Sequence, residues 1–145
     1  MRQMTEMEES SMMDGLPTGG GDQPVELFMR DTVTVIDPSA SLREAANRLQ
    51  SDEVGIVVVG TADAVKGVVS ERDIVRCVAL GVDLDATTVE AVESENLKWA
   101  AQGSTVDTVA EEMMENYLRH MLIADDAGRL VGVVSLRDLI TAYLP

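Results

Sequence analysis

The stretch Gly67-Val68-Val69-Ser70-Glu71-Arg72-Asp73-Ile74 occurs a second time as Gly132-Val133-Val134-Ser135-Leu136-Arg137-Asp138-Leu139. Each copy reads as a short apolar strand, a serine at the turn, an aspartate three residues later and the start of an apolar-periodic helix. A repeated strand–turn–helix junction predicts two like structural units and, with them, two like sites. The helix N-terminus at each junction is a position that attracts anions.

The repeat extends well beyond these two stretches. The alignment divides the chain into a first unit at residues 24–82, a linker at 83–88 and a second unit at 89–145. Units of this size rarely hold a sufficient core alone, so we expect the two to pack into one domain. Further aligned segments are Val25-Glu26-Leu27-Phe28 with Val89-Glu90-Ala91-Val92, and Val57-Val58-Val59 with Met121-Leu122-Ile123.

Within each unit the pattern predicts the order β-α-β-β-α. Ser41-Leu42-Arg43-Glu44 has the Ser-x-x-Glu spacing of a capping box, which opens a helix. Residues 55–59 and 65–69 form two apolar runs joined by a tight loop, which is typical of a β-hairpin. The helix after Ser70 carries Val75 and Val78 among its apolar positions. Continuous apolar strands favour sheets covered by helices, so we predict an α/β fold.

The charge of the chain excludes several function classes. The formal net charge is −15, from 26 acidic and 11 basic residues, so there is no basic footprint for general nucleic-acid binding. The same charge opposes anionic membrane surfaces, and no apolar run reaches transmembrane length. The start of the chain has no apolar core of a signal peptide, so we expect a cytoplasmic protein. The acidity fits either a salt-rich cytoplasm or an ordinary acidic protein.

Residues 1–23 are rich in Met, Glu and Gly and show no sustained period, which predicts a disordered tail. The alternative is a short Met-rich helix that docks on a partner. Cys77 is the single cysteine, so the chain forms no internal disulfide.

Two serine–aspartate pairs, Ser70 with Asp73 and Ser135 with Asp138, are the candidate chemical groups. A serine N-cap followed by an acidic third residue is an ordinary helix start, which is one interpretation. The other is that the serine and the nearby amides hold a phosphate while the aspartate accepts from the two hydroxyls of a ribose. The two interpretations are compatible.

The sequence contains few of the side-chain combinations that catalysis usually requires. A serine or cysteine nucleophile usually needs a nearby histidine, and His120 is the only one. The chain has no Gly-x-Ser-x-Gly elbow, no P-loop, no Gly-x-Gly-x-x-Gly and no Cys/His cluster for a metal. We therefore expect a non-enzyme with no obligatory cofactor.

The chain resembles a pair of CBS domains (the cystathionine β-synthase module). The resemblance rests on the duplicated motif Gly-Val-Val-Ser-x-Arg-Asp-Ile/Leu, each copy of which follows a capped helix and a hairpin. The resemblance covers residues 25–145. It implies two β-α-β-β-α units that pack pseudo-symmetrically through their sheets into a Bateman module, commonly a homodimer. It also implies an adenosine-containing ligand of the AMP, ATP, NAD or S-adenosylmethionine class.

The resemblance also implies roles for individual residues. The family's ribose-binding aspartate falls on Asp73 and Asp138, and its phosphate-side hydroxyl falls on Ser70 and Ser135. Contacts to the base fall near Thr34, Val35 and Val57 in the first unit, and near Lys98, Trp99 and Met121 in the second. For Trp99 itself, a core role is favoured over stacking on the base.

Basic residues distinguish the two units. The second unit has Arg119-His120 before its second strand, where the first has Gly55-Ile56. Arg72 and Arg137 occupy the same place in both. We expect Arg119, His120 and Arg137 to converge, so that phosphorylated ligands prefer the second unit. Alternatively, Arg119 and His120 reach a ligand anchored in the first unit. His120 is equally consistent with a strand-end core residue, or with a group that makes binding pH-sensitive.

Two functions follow from this sequence. The first is a ligand sensor in which a nucleotide binds between the units and a conformational change signals to a protein partner of unknown identity. The second is a ligand-independent dimerisation or interaction module that uses helical faces, with Met113, Met114 and Leu118 as candidates, although a core role is favoured for most of the three.

Overall fold

The computed structural model of the protein describes residues 20–95 and 97–145 and confirms the predicted order of elements in both units. The first unit contains β1 (Val35–Ile36), α1 (Leu42–Ser51), β2 (Ile56–Gly60), β3 (Val65–Ser70) and α2 (Glu71–Ala79). The second contains β4 (Trp99–Ala101), α3 (Val106–Glu115), β5 (His120–Ala124), β6 (Leu130–Ser135) and α4 (Leu136–Thr141). A 3-10 helix precedes each set, at Val25–Leu27 and at Val89–Ala91.

Each unit forms a three-stranded sheet with the same topology. The middle strand, β2 or β5, pairs in parallel with the first strand and antiparallel with the third. Ile56 lies opposite Ser70, and His120 lies opposite Ser135. The start of β2 and the start of β5 are therefore equivalent positions in the repeat.

Side-chain caps fix where the helices begin. Ser41 Oγ accepts from the backbone N–H of Glu44 at 3.1 Å, which is the serine half of the predicted capping box. Complete capping boxes occur instead at Ser70 and Ser135, the two repeated serines. Each box satisfies amides that the first helical turn leaves without intrahelical partners.

The sheets pack against each other through an apolar layer, as predicted. Ile56 and Val58 of β2 meet Leu122 of β5 and Leu130 of β6 in this layer. The opposite face of each sheet packs on its own helices. The expected apolar face of α2 differs, because Val75 and Val78 are 67% and 59% exposed. Cys77 is the residue that α2 buries instead.

The 3-10 helices are exchanged between the units. Val25 begins the first unit in sequence, but it is fully buried in the core of the second, and its N–H donates to Ser104 O at 2.8 Å. Val89 begins the second unit and is fully buried in the core of the first, with its N–H donating to Ala40 O at 2.8 Å. The units are therefore consecutive in sequence but interlocked in space.

The predicted tail falls mostly outside the described residues, since residues 1–19 are not among them. Its last four residues, however, pack on the second unit. Val106 and Asp107 at the start of α3 donate backbone N–H groups to Gln23 O and Gly21 O. Within the part of the chain that the structure describes, no helix is long and apolar enough to cross a membrane.

Candidate ligand-binding cleft

Two cavities lie between the units, on either side of the place where β2 and β5 begin. The larger, about 1090 Å³, contains Asp138, and the smaller, about 260 Å³, contains Asp73. We call them the Asp138 cavity and the Asp73 cavity. Residues common to both are Gly55, Ile56, Glu71, Arg119 and His120.

The Asp138 cavity is built from the β6–α4 junction and the segment before β1. The Ser135 N–H donates to Asp138 Oδ2 at 2.9 Å, and the Asp138 N–H donates to Ser135 Oγ at 3.0 Å. The capping interpretation of this pair is therefore correct. Among the described residues, Asp138 Oδ1 has no hydrogen-bond partner, so one carboxylate oxygen is left for a ligand. The other lining residues not shared with the second cavity are Arg30, Thr32, Val33, Thr34, Glu53, Val54, Val133, Leu136, Arg137, Ile140 and Thr141.

The Asp73 cavity has the same junction with a more engaged carboxylate. Ser70 donates to Asp73 Oδ2 both through its N–H, at 2.8 Å, and through its hydroxyl, at 2.9 Å. Arg76 Nη1 lies 3.3 Å from Asp73 Oδ1 and forms a salt bridge with it. Because both oxygens already have partners, Asp73 has less capacity for a ligand than Asp138. The remaining residues that line only the Asp73 cavity are Val68, Arg72, Leu97, Lys98, Tyr117, Leu118, Met121 and Leu122.

The cavities combine residues across the units rather than within them. Thr34 of the first unit lies in the cavity of Asp138, whereas Lys98 and Met121 of the second unit lie in the cavity of Asp73. Thr34 is buried, and its hydroxyl donates to Asp52 Oδ2 at 2.6 Å, which holds the pKa of Asp52 below its usual value. This hydroxyl is thereby committed to the protein.

Three of the expected base contacts lie away from the cavities. Val57 points into the core of the first unit and is fully buried there. Trp99 packs in the layer between the sheets, and Val35 lies on the short strand β1. None of the three lines either cavity. The sheet explains this, because alternate residues of a strand face opposite sides and Val57 faces the helices rather than the cleft.

Positive charge is concentrated at the cleft. Among the described residues, four arginines form salt bridges on the surface: Arg43, Arg48, Arg76 and Arg129. The other basic side chains described, apart from Lys66, all line the two cavities: Arg30, Arg72, Lys98, Arg119 and Arg137. Five of the six basic side chains that form no salt bridge within the described residues therefore lie at one place, in a chain of net charge −15. The acidic lining residues are Glu53, Glu71, Asp73 and Asp138.

His120 forms the wall between the cavities. A β-carbon added at Gly55 would lie 2.6 Å from His120 Nε2, so only glycine leaves room for the imidazole there. Burial lowers the pKa of His120, and the nearby carboxylates of Asp138 and Glu71 oppose that shift. The ring is therefore neutral at neutral pH when no ligand is present.

Arg30 also lines the Asp138 cavity, although no motif in the sequence indicates it. Arg30 and Val133 exchange backbone hydrogen bonds at 2.9 and 3.0 Å, which places the arginine beside β6 of the other unit. No local motif marks such a long-range contact. Within residues 20–95 and 97–145, no group of His, Cys, Asp and Glu side chains could hold a metal ion.

Comparison with known proteins is consistent with this geometry. The CBS domain family matches the chain twice, over residues 25–80 and 89–145. A 17.7 kDa protein of Acidianus ambivalens is 34% identical over 113 residues, covering 77% of this chain and 68% of its own length.

Two solved structures are similar over most of their length. A CBS-domain containing protein from Agrobacterium tumefaciens is 31% identical with a TM-score of 0.77, covering 86% of this chain and 96% of its own. A CBS domain protein from Pyrobaculum aerophilum, complexed with AMP, is 29% identical with a TM-score of 0.73, covering 80% and 89%.

Proposed function

This chain belongs to the CBS domain family, and from that membership we propose that it is a regulatory module that binds an adenine nucleotide in the Asp138 cavity. Binding is read by a protein partner as a change in the relative position of the two units. The observation that carries the proposal is that Arg30, Arg119 and Arg137, which form no salt bridge within the described residues, line the cavity of Asp138 in a strongly acidic protein. Charge-assisted hydrogen bonds to phosphate are about twice as strong as neutral ones.

The Asp138 cavity suits the ligand better than the Asp73 cavity. Ligand sites usually measure roughly 300–1,000 Å³. The Asp138 cavity, about 1090 Å³, exceeds this range slightly and has room for a nucleotide, whereas the Asp73 cavity, about 260 Å³, lies slightly below it. Asp138 also keeps one carboxylate oxygen free of partners from the described residues. The AMP complex of the Pyrobaculum aerophilum protein supports an adenine nucleotide as the ligand class.

In the bound state, Asp138 accepts from the ribose hydroxyls. Arg119, Arg137 and the imidazole of His120 face the phosphate, and Ser135 lies beside them at the β6–α4 junction. The base extends toward Thr34 of the first unit. Such a ligand touches both units, so its affinity differs between their relative orientations and shifts the population among them.

The protein acts by binding and not by catalysis in this proposal. The hydroxyl of Ser70 already donates to Asp73, and Ser135 Oγ accepts from the amide of Asp138, so both serines serve as caps. The module works in the cytoplasm as a homodimer. Exposed apolar side chains at the ends of the units are available to the second copy: Val75, Val78, Leu80, Ile140 and Leu144.

A thermal-shift panel at near-physiological salt tests the proposal. The panel contains AMP, ADP, ATP, NAD, S-adenosylmethionine and guanine nucleotides. A ligand at about 100 times its Kd stabilises the fold by roughly 2.7 kcal/mol, which raises the Tm by several degrees. We expect adenine nucleotides to raise it and guanine nucleotides to have less effect. A flat panel would instead support the ligand-independent interaction module, in which the exposed apolar side chains carry the function.

A further inference from the structure

We propose that the two cavities take phosphorylated ligands one at a time, because one pair of hydrogen-bonding side chains, Arg119 and His120, serves both. The inference rests on the proposed nucleotide binding and adds its regulation: a phosphate bound in one cavity weakens phosphate binding in the other.

The sharing follows from the pseudo-symmetry of the fold. The Glu71 N–H donates to Gly55 O at 3.0 Å in the first unit, and the Leu136 N–H donates to Arg119 O at 2.8 Å in the second. Gly55 and Arg119 are therefore equivalent, and they lie together in the lining of both cavities. Two symmetric units would contribute two such arginines. This chain contributes one.

His120 makes the arrangement asymmetric in the same way. Its equivalent in the first unit is Ile56, which lies opposite Ser70 as His120 lies opposite Ser135. The imidazole stands against Gly55 between the cavities, where a phosphate on either side would contact it. The one pair of basic residues thus occupies the boundary rather than one site.

Each cavity also has cations of its own, so each is able to attract an anion. Arg72 and Lys98 line only the Asp73 cavity, and Arg30 and Arg137 line only the Asp138 cavity. The first phosphate to bind takes the donors of Arg119 and adds negative charge beside the empty cavity. The second phosphate then lacks one charge-assisted contact and meets that charge, so we expect its Kd to be at least about tenfold higher.

Equilibrium dialysis of the full chain with AMP measures the effect. The wild type should bind one AMP per chain, and a second only at tenfold or higher concentration. Asp138→Ala should still bind one AMP, now in the Asp73 cavity, and Asp73→Ala/Asp138→Ala should bind AMP at least thirtyfold more weakly than the wild type. Arg119→Gln should weaken both steps and bring the two constants close to those of independent sites.

Lys66→Gln is the matched control, because Lys66 is exposed, forms no salt bridge within the described residues and lines neither cavity. The Lys66→Gln variant should keep the wild-type ratio between the first and second AMP dissociation constants. Two AMP bound with equal affinity by the wild type would overturn the inference. So would loss of all binding in Asp138→Ala, or a tenfold gap that persists in Arg119→Gln. A wild type that binds no AMP would refute the proposed function itself.

Discussion

Replacing Asp138 with alanine tests the most specific claim about the site, that its carboxylate holds the ribose. The clean comparison is made in a chain that already carries Asp73→Ala, because only the Asp138 cavity then titrates. Asp73→Ala alone should leave the first AMP constant near its wild-type value, since both oxygens of Asp73 already have partners in the protein.

The expected loss follows from the free oxygen of Asp138. Oδ2 is held by the Ser135 amide at 2.9 Å, which leaves Oδ1 to accept from the ribose hydroxyls. A hydrogen bond to a charged group contributes roughly 1.5–3 kcal/mol, so losing the equivalent of one such bond should cost about 2–3 kcal/mol of binding free energy. That corresponds to a Kd roughly 30- to 150-fold higher.

Isothermal titration calorimetry with AMP measures this Kd directly. Asp138→Ala also removes half of a capping box, so it should lower the free energy of unfolding by about 0.5–2 kcal/mol. Ser41→Ala controls for that loss, because it removes a cap from α1 while Ser41 lines neither cavity. An AMP affinity within threefold of the parent would refute the assignment of Asp138 as the ribose ligand.

Other consequences are measurable on the unliganded protein. Val25→Ala and Val89→Ala should each lower the free energy of unfolding by about 2 kcal/mol in urea denaturation, because each side chain is fully buried in the core of the opposite unit. Leu27→Ala is the control: the Leu27 side chain is 64% exposed, so this substitution should change the free energy of unfolding by less than about 0.5 kcal/mol. Burial lowers the folded-state pKa of His120, so the unfolded chain binds the proton more readily. The contribution of His120 to the free energy of unfolding should therefore be fully present above about pH 6.5 and should be lost as the pH falls from there through the folded-state pKa. A His120→Gln chain with the same slope between about pH 7.5 and 5.5 would contradict this. Glu93 Oε2 is buried without a hydrogen-bond partner among the described residues, and desolvation raises its pKa, so Glu93→Gln should raise the Tm at neutral pH; a lower Tm would show that its charge is compensated.

Most of the secondary structure could be predicted because it is determined by local sequence. Each of these features depends on neighbours within a few residues: the capped helix starts at Ser41 and Ser70, the hairpins and the apolar strands. Because the pattern is duplicated, each unit supports the assignment made in the other. The exchange of the 3-10 helices was not predictable. Val25 and Val89 sit in equivalent local sequences, so packing within a unit and packing across units satisfy the same pattern.

The position of the serine–aspartate pairs was predictable from local sequence, whereas the residues that surround them were not. The serine–aspartate pairs occur at strand–helix junctions, as their spacing indicated. Which residues face them is decided by how two sheets pack, and that brought Thr34 to Asp138 and Lys98 to Asp73. Sequence periodicity likewise did not reveal that Val75 of α2 is left uncovered.

The exchange of 3-10 helices has a consequence for how such a chain arises by duplication. A single ancestral unit would carry a first segment that fits another unit's core, as Val25 fits the second core and Val89 the first. Such a unit is complete only when two chains lend each other that segment. Tandem fusion then turns an exchange between molecules into an exchange within one. In the present chain, neither half contains all the residues of its own core.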